Sequence, residues 1–245
     1  MTCLILKSKG EVIMITVIMG TEIKGCTYHL KEAFIEDLGE RQIKEFVLPK
    51  DQPHFCIGCK RCFLEGEEYC PHYESVSPIF QSILESDLIL FAYPVYALRA
   101  PGQIKALLDH FCYNWVIHRP RKEFFTKEIA ILTQSIGGPN GPAQKDVSTS
   151  MNWMGNSNIR KLGFGLMEGI DWDKLSHQRK ESMIKKVKGF AEYYKNPMGN
   201  RRGVKGKVLF NLGKSLRKNI IKTEETRSYD SQYWLDQGWI IDTDQ

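Results

Sequence analysis

The chain has 245 residues, 42% of them apolar and 26% charged, with 34 basic against 29 acidic side chains for a net charge of +5. That is room for one α/β core and an appendage, and no apolar run approaches the roughly 20 residues of a spanning helix, which excludes a membrane-spanning protein. The charge excess is local: Met198 to Arg227 holds nine Lys and Arg against Glu224 and Glu225, so a basic tail is expected and a globally basic nucleic-acid binder is not implied.

Val12 to Met19 is almost wholly β-branched or aliphatic. It reads as a first strand, not a leader, because Thr16 interrupts it and Gly20-Thr21-Glu22 follows in place of a small-residue cleavage site. Ile23-Lys24-Gly25-Cys26-Thr27 is then a polar loop opening a helix capped near Cys26 or Thr27, with Leu30, Phe34 and Leu38 on its buried face and Gly39 at its end. Loop amides and a helix N-terminus make an anion site, for which phosphate is the natural guest. The glycine spacing is neither that of a Walker loop nor of a dinucleotide fingerprint, so neither a nucleoside triphosphate nor Rossmann-bound NAD is signalled.

Gln42 to Leu48 reads as a second, shorter strand ending at Pro49. Four of the seven cysteines follow within fifteen residues: Cys56, Cys59, Cys62 and Cys70. Clustering of this kind points to metal in a reducing cytoplasm, whereas a disulfide framework scatters its pairs. Two Cys-x2-Cys steps sharing a middle residue suit three corners of a [4Fe–4S] cubane, with a fourth ligand after a longer gap and Pro71 behind it. Zinc more often takes two separated knuckles, and unmetallated thiols are the other alternative. His54 and His72 read as surface residues beside this loop, and Cys3 and Cys112 as buried or incidental thiols. A helix is expected from Ser77-Pro78, with Val76, Ile79, Phe80, Ile83 and Leu84 on one face.

Leu88 to Phe91 is a third strand covered on both faces. Tyr93-Pro94-Val95-Tyr96-Ala97 would then lie outside its carboxyl end, where open α/β sheets bind ligands, and two tyrosines with a rigid proline suit the edge of a flat aromatic ligand. Past Pro101 and Gly102, a helix carries Ile104, Leu107, Leu108 and Phe111 on one stripe. His110, Trp115 and His118 follow it as lining for a substrate mouth or a dimer contact. Glu128 to Thr133 is a fourth strand leading into the glycine-rich loop 134–142, and a helix to about Gly155 precedes a fifth strand over Ile159–Met167. Asp171-Trp172-Asp173 opens the next helix, with Met183, Ile184, Val187, Phe190, Ala191 and Tyr194 inward and Asn196-Pro197 at its end.

Beyond it, Val204, Val208, Leu212, Leu216 and Ile220 repeat at four among lysines and arginines, which predicts a basic amphipathic helix. It is expected to dock on its own domain or a second subunit, anchored by Tyr233, Trp234 and Trp239, in preference to a membrane surface or nucleic acid. Five strands alternating with helices predict an α/β fold with a doubly wound parallel sheet of order 2-1-3-4-5, whose reversal point lies between the first and third strands. The expected division is a domain over 11–196, with residues 53–72 as an inserted cysteine loop, and a tail over 197–245.

Gly20, Thr21, Lys24, Gly25 and Thr27 in the first loop, and Pro94-Val95-Tyr96 continued by Gln103, Ile104, Lys105, Ala106 and Asp109, resemble the flavodoxin-like NAD(P)H-dependent FMN reductases over about residues 11–195. Cys56-x2-Cys59-x2-Cys62-x7-Cys70 makes the chain look most like the iron–sulfur flavoproteins of that group. Cys26 stands where the family usually has Asn, and Ala92-Tyr93 replaces Gly-Ser. The resemblance implies an FMN oxidoreductase with the 5′-phosphate on Thr21, Lys24, Cys26, Thr27 and nearby Tyr28. It implies the isoalloxazine against Tyr93, Pro94, Val95, Tyr96, Ala97 and Leu98 on one side and Thr133, Ser135, Gly137 and Gly138 on the other. It further implies a [4Fe–4S] cluster on the four cysteines, NAD(P)H or a ferredoxin-type protein as donor, a homodimer or homotetramer, and no catalytic side chain, since the flavin performs the redox step.

Overall fold

Aliphatic runs separated by turns and helical stripes build five parallel strands: β1 (Met14–Met19), β2 (Gln42–Val47), β3 (Leu88–Pro94), β4 (Glu128–Ser135) and β5 (Ile159–Gly165). Their spatial order is β2-β1-β3-β4-β5, as expected. The computed structural model describes residues 14–167, 171–195 and 202–241. Val12 of the expected first strand, Cys3 and the helix end at Asn196-Pro197 lie outside the described residues. The helices are α1 (Cys26–Leu38), α2 (Arg61–Leu64), α3 (Tyr73–Glu85), α4 (Gly102–His110), α5 (Gly141–Trp153), α6 (His177–Lys195), α7 (Val204–Thr223) and α8 (Tyr229–Asp236).

Side chains alternate across a strand, so each strand feeds two cores. Ile15, Val17, Met19, Leu90, Ala92 and Leu132 pack with α1 and α6 through Leu30, Phe34, Val187 and Tyr194. Ile18, Ile89, Phe91, Tyr93 and Ile131 pack on the other face with α3, α4 and α5 through Phe80, Ile83, Leu107, Phe111 and Val147. Each such side chain contributes about 1.5–3 kcal/mol when fully buried.

Several boundaries move. β3 runs on to Pro94 and β4 to Ser135, beyond the ends expected at Phe91 and Thr133. α3 begins at Tyr73, not at Ser77-Pro78, and encloses Pro78. The missing N–H would have bonded the carbonyl of Glu74; both residues lie on the exposed side of the helix, and the apolar stripe stays buried. Asp171 caps only a short turn over Trp172–Lys174, accepting from Asp173 N, and α6 starts at His177.

α7 docks on the sheet domain, but with another face than its apolar repeat suggests. Gly206, Gly213, Arg217 and Ile221 are buried, while Val204, Val208, Leu212 and Leu216 are 78%, 60%, 47% and 42% exposed. A Cβ at Gly213 would stand 2.2 Å from the Val116 carbonyl oxygen, and one at Gly206 2.4 Å from that of Gly155. Backbone lies on backbone, and a side chain at either position would lift the helix. Gly213→Ala is expected to cost about 1–3 kcal/mol in urea unfolding, against less than about 0.5 for Leu212→Ser; equal costs would mean that α7 seats on its apolar stripe instead. Trp234, fully buried, anchors the tail with Phe210, Tyr233, Trp239 and Ile240.

Candidate functional site

The turns after β1, β3 and β4 meet at the carboxyl edge of the sheet. Gly20 N donates to Ala92 O at 2.8 Å, and Gln103 Nε2 donates to Gly20 O at 2.8 Å, tying the first loop to β3 and α4. Gly25 is the cap of α1, one residue before the expected position, and no side chain caps it. A cavity of about 120 Å³ opens there, walled by Thr21, Cys26 and Thr27 on one side and by Pro94, Val95, Tyr96, Gln134 and Ile136 on the other. The two loops read as separate ligand elements in the sequence therefore share one cavity. Burial, then the charge of Asp171, pushes the Cys26 thiol above its ordinary range, so it stays protonated.

Strand parity sorts the remaining expected residues. Tyr93 shares the face of Ile89 and Phe91: its ring is fully buried and its hydroxyl donates to Ala143 O at 2.9 Å, so its side chain is core and edges no ligand. Thr133 points the same way, donating to Asn140 Oδ1 at 2.7 Å and accepting from Gln144 Nε2 at 2.9 Å, and is likewise corrected to a structural role. Pro94 and Gln134, paired across β3 and β4, take the opposite face and reach the cavity. Gln134 was not among the expected site residues. It is 2% exposed, lines the cavity, and its Nε2 has no hydrogen-bond partner among the described residues. Following the alternation of β4 past Leu132 would have found it.

Ser135 Oγ donates to Gly138 O at 2.5 Å and closes the loop after β4. Gly137 has φ 72°, and a Cβ on it would strike Met167 Sδ at 2.2 Å. A side chain there would be strained by the left-handed backbone and would have to displace the exposed Met167 side chain. Ala97 and Leu98 sit at φ 48° and 64° in the tight turn closed by Tyr96 and Arg99. Leu98 leans over Gly138 and is 55% exposed. Lys24 is exposed, with its ammonium 5.5 Å from the ring of half-buried Tyr28.

Cys56, Cys59, Cys62 and Cys70 line a second cavity, of about 360 Å³, with Cys112, His72 and His110. Among the described residues, no three His, Cys, Asp or Glu side chains are gathered closely enough to hold one metal ion. Burial, followed by the Cys112 and Cys70 thiols, pushes Cys62 up to about 12. This cavity draws on Val76 and Phe80, which belong to the α3–α4 core, while the first cavity draws on Cys26 of the α1–α6 core; the two share no lining residue, and Cys56 and Gly58 also line a groove with Arg99 after β3 and with Gly141 and Pro142 after β4.

His54 and His72 stack at 4.6 Å, and His72 meets His110 edge-on at 5.5 Å. His118 and Arg119 reach the tail: Asp230, buried in α8, accepts from His118 Nδ1 at 2.7 Å, from Arg217 Nη2 at 3.1 Å and from Arg119. Arg119 also donates to Cys62 O and to Glu67 at 3.3 Å, so the tail holds the cysteine loop through one guanidinium.

Residues 13–166 match the family described as NADPH-dependent FMN reductase. An iron–sulfur flavoprotein of Methanosarcina thermophila is 30% identical over 123 residues, which are 48% of this chain and 59% of that protein. The chain thus spans less than two thirds of that relative. A second iron–sulfur flavoprotein, from Archaeoglobus fulgidus, is 22% identical over 81% of this chain and 86% of its own length. Among solved structures, an FMN-dependent NADH-azoreductase from Bacillus anthracis in complex with FMN superposes with a TM-score of 0.56 at 12% identity, over 75% of this chain and all of that one.

Proposed function

Because this chain belongs to the NADPH-dependent FMN reductase family of flavin-dependent oxidoreductases, we propose that it is an FMN oxidoreductase of the iron–sulfur flavoprotein type. It would pass electrons between a hydride or ferredoxin-type donor, FMN and a [4Fe–4S] cluster. The observation that carries the flavin is Gln134: a buried amide without a partner, in a cavity formed by a helix N-terminus and the 94–96 loop, is a hydrogen bond awaiting a ligand.

A cavity of about 120 Å³ is smaller than the roughly 300–1,000 Å³ of whole-ligand pockets, so it encloses one end of FMN only. In this reading Thr21, Lys24, Cys26, Thr27 and the α1 amides take the phosphate, with Tyr28 alongside. Pro94 to Leu98 and Ser135 to Gly138 edge the ring, which rests on the exposed apolar rim of Ile23, Tyr96, Leu98 and Ile136. FMN supplies hydride and single-electron chemistry when bound, and the chain's residues bind and orient it and shield it from water. Gln134→Leu is expected to weaken FMN binding tenfold or more in a fluorescence titration. Unchanged affinity would remove Gln134 from the site.

Four thiols around one cavity are the donor set an iron–sulfur cluster takes. Protein purified under nitrogen should show flavin bands with a broad brown shoulder, and Cys59→Ser should lose the shoulder and keep the flavin. Flavin bands alone would make the chain an NAD(P)H-dependent FMN or quinone reductase without a cluster. Neither would leave a non-enzymatic flavodoxin-like module. A homodimer or homotetramer and a ferredoxin-type partner belong to the same proposal, and light scattering gives the subunit count.

A further inference from the structure

In the sequence Cys112 stands 42 residues beyond Cys70, outside the cysteine motif. In the fold, α4 delivers it to the cysteine cavity. It opens a short 3-10 turn over Cys112–Asn114, held by Phe111 N on Leu108 O at 3.1 Å and Trp115 N on Cys112 O at 3.1 Å. Cys56, by contrast, is exposed in a stretch without regular secondary structure. Of the five thiols, Cys56 and Cys112 alone also line the neighbouring groove beside Lys105, Asp109 and Trp115, so they share the wall between groove and cavity.

A second observation marks this wall as a place for a ligand. His110 is 5% exposed and lines the same cavity. Its Nδ1 donates to Ala106 O at 2.8 Å, and its Nε2 is buried without a partner among the described residues.

We propose that the site holds five thiols for four coordination positions, with Cys112 and Cys56 interchangeable as the fourth ligand beside Cys59, Cys62 and Cys70. The inference rests on the metal-binding reading of the cysteine loop. Exchange breaks one metal–sulfur bond and forms another, the arriving thiol giving up a proton as the departing thiolate takes one, with no electron transferred. Bound through Cys112, the centre is fastened to the rigid end of α4, and residues 53–58 are free to swing from the groove. Ligands on regular elements hold geometry more tightly than ligands on loops.

The test is reconstitution of the full chain with iron and sulfide under nitrogen, reading iron and sulfide per chain and the reduced-state electron paramagnetic resonance signal. The expected result is that Cys56→Ser and Cys112→Ser each keep more than half of the wild-type iron, and that the double variant falls at least fivefold below either. Cys56→Ser alone falling as far as the double variant would overturn the proposal. If wild type takes up no iron, the cluster reading fails, and cobalt(II) titration of the same proteins decides the ligand question. Equal sulfur-to-cobalt charge-transfer intensity in both single variants, with a drop of about a quarter in the double, supports five thiols; a drop already present in Cys56→Ser sinks them.

Discussion

Asp230→Ala is expected to cost about 3–5 kcal/mol, because it removes the one carboxylate shared by three basic side chains. Asp230, Arg119 and Arg217 are 7%, 2% and 5% exposed. A pair taken out of water pays for itself only while both charges are matched, and deletion of the acid leaves two guanidinium groups buried without it. Burial alone would raise the Asp230 carboxyl, but the His118 hydrogen bond and the charges of Arg119 and Arg217 outweigh it and hold the group below its ordinary range. Its contribution is therefore present above the usual aspartate pKa, near 3.9, and is lost as the pH falls through the depressed folded value. Because Arg119 also holds Cys62 O, the variant should open the cysteine loop as well as weaken the tail. Urea unfolding at pH 7 and the rate of Cys62 labelling by a thiol reagent measure the two effects. A loss below about 1 kcal/mol, with labelling unchanged, would show that the tail does not brace the loop.

Glu128→Gln should do the opposite at alkaline pH. Glu128 begins β4 and is 8% exposed, and burial pushes its carboxyl up to about 7, with Arg160 pulling back more weakly. A carboxyl whose folded pKa lies above its unfolded value contributes stability that is fully present below about pH 4.5 and lost as the pH rises through about 7. A shift of that size corresponds to roughly 3 kcal/mol. Wild-type stability should accordingly fall between pH 5 and pH 8, and the glutamine variant should lack that slope and be the more stable protein at pH 8. Parallel stability curves for the two proteins across that range would show that Glu128 reaches water.

The order of the sheet, the loops at its reversal point and the four-cysteine spacing are legible along the chain, because each is written in neighbouring residues: aliphatic runs, turn chemistry, a motif sixteen residues long or less. Short-range patterns of this kind carry their own geometry. Tyr93 was misplaced for a local reason too, since ending β3 at Phe91 lost the count of which side chain faces which layer.

What the sequence by itself determined is the doubly wound sheet and the meeting of residues 21–27 with residues 94–96, for parallel strands joined by right-handed crossovers leave those turns nowhere else to go. Only the tertiary structure decided the rest: Gln134 left without a partner among the described residues, Cys112 brought to the other thiols, Asp230 gathering three bases, and α7 seated on its glycines with Val204, Val208, Leu212 and Leu216 exposed. Those are contacts between segments far apart in the chain, and which of two helix faces is buried depends on the shape of the surface it meets, which no residue of the helix encodes.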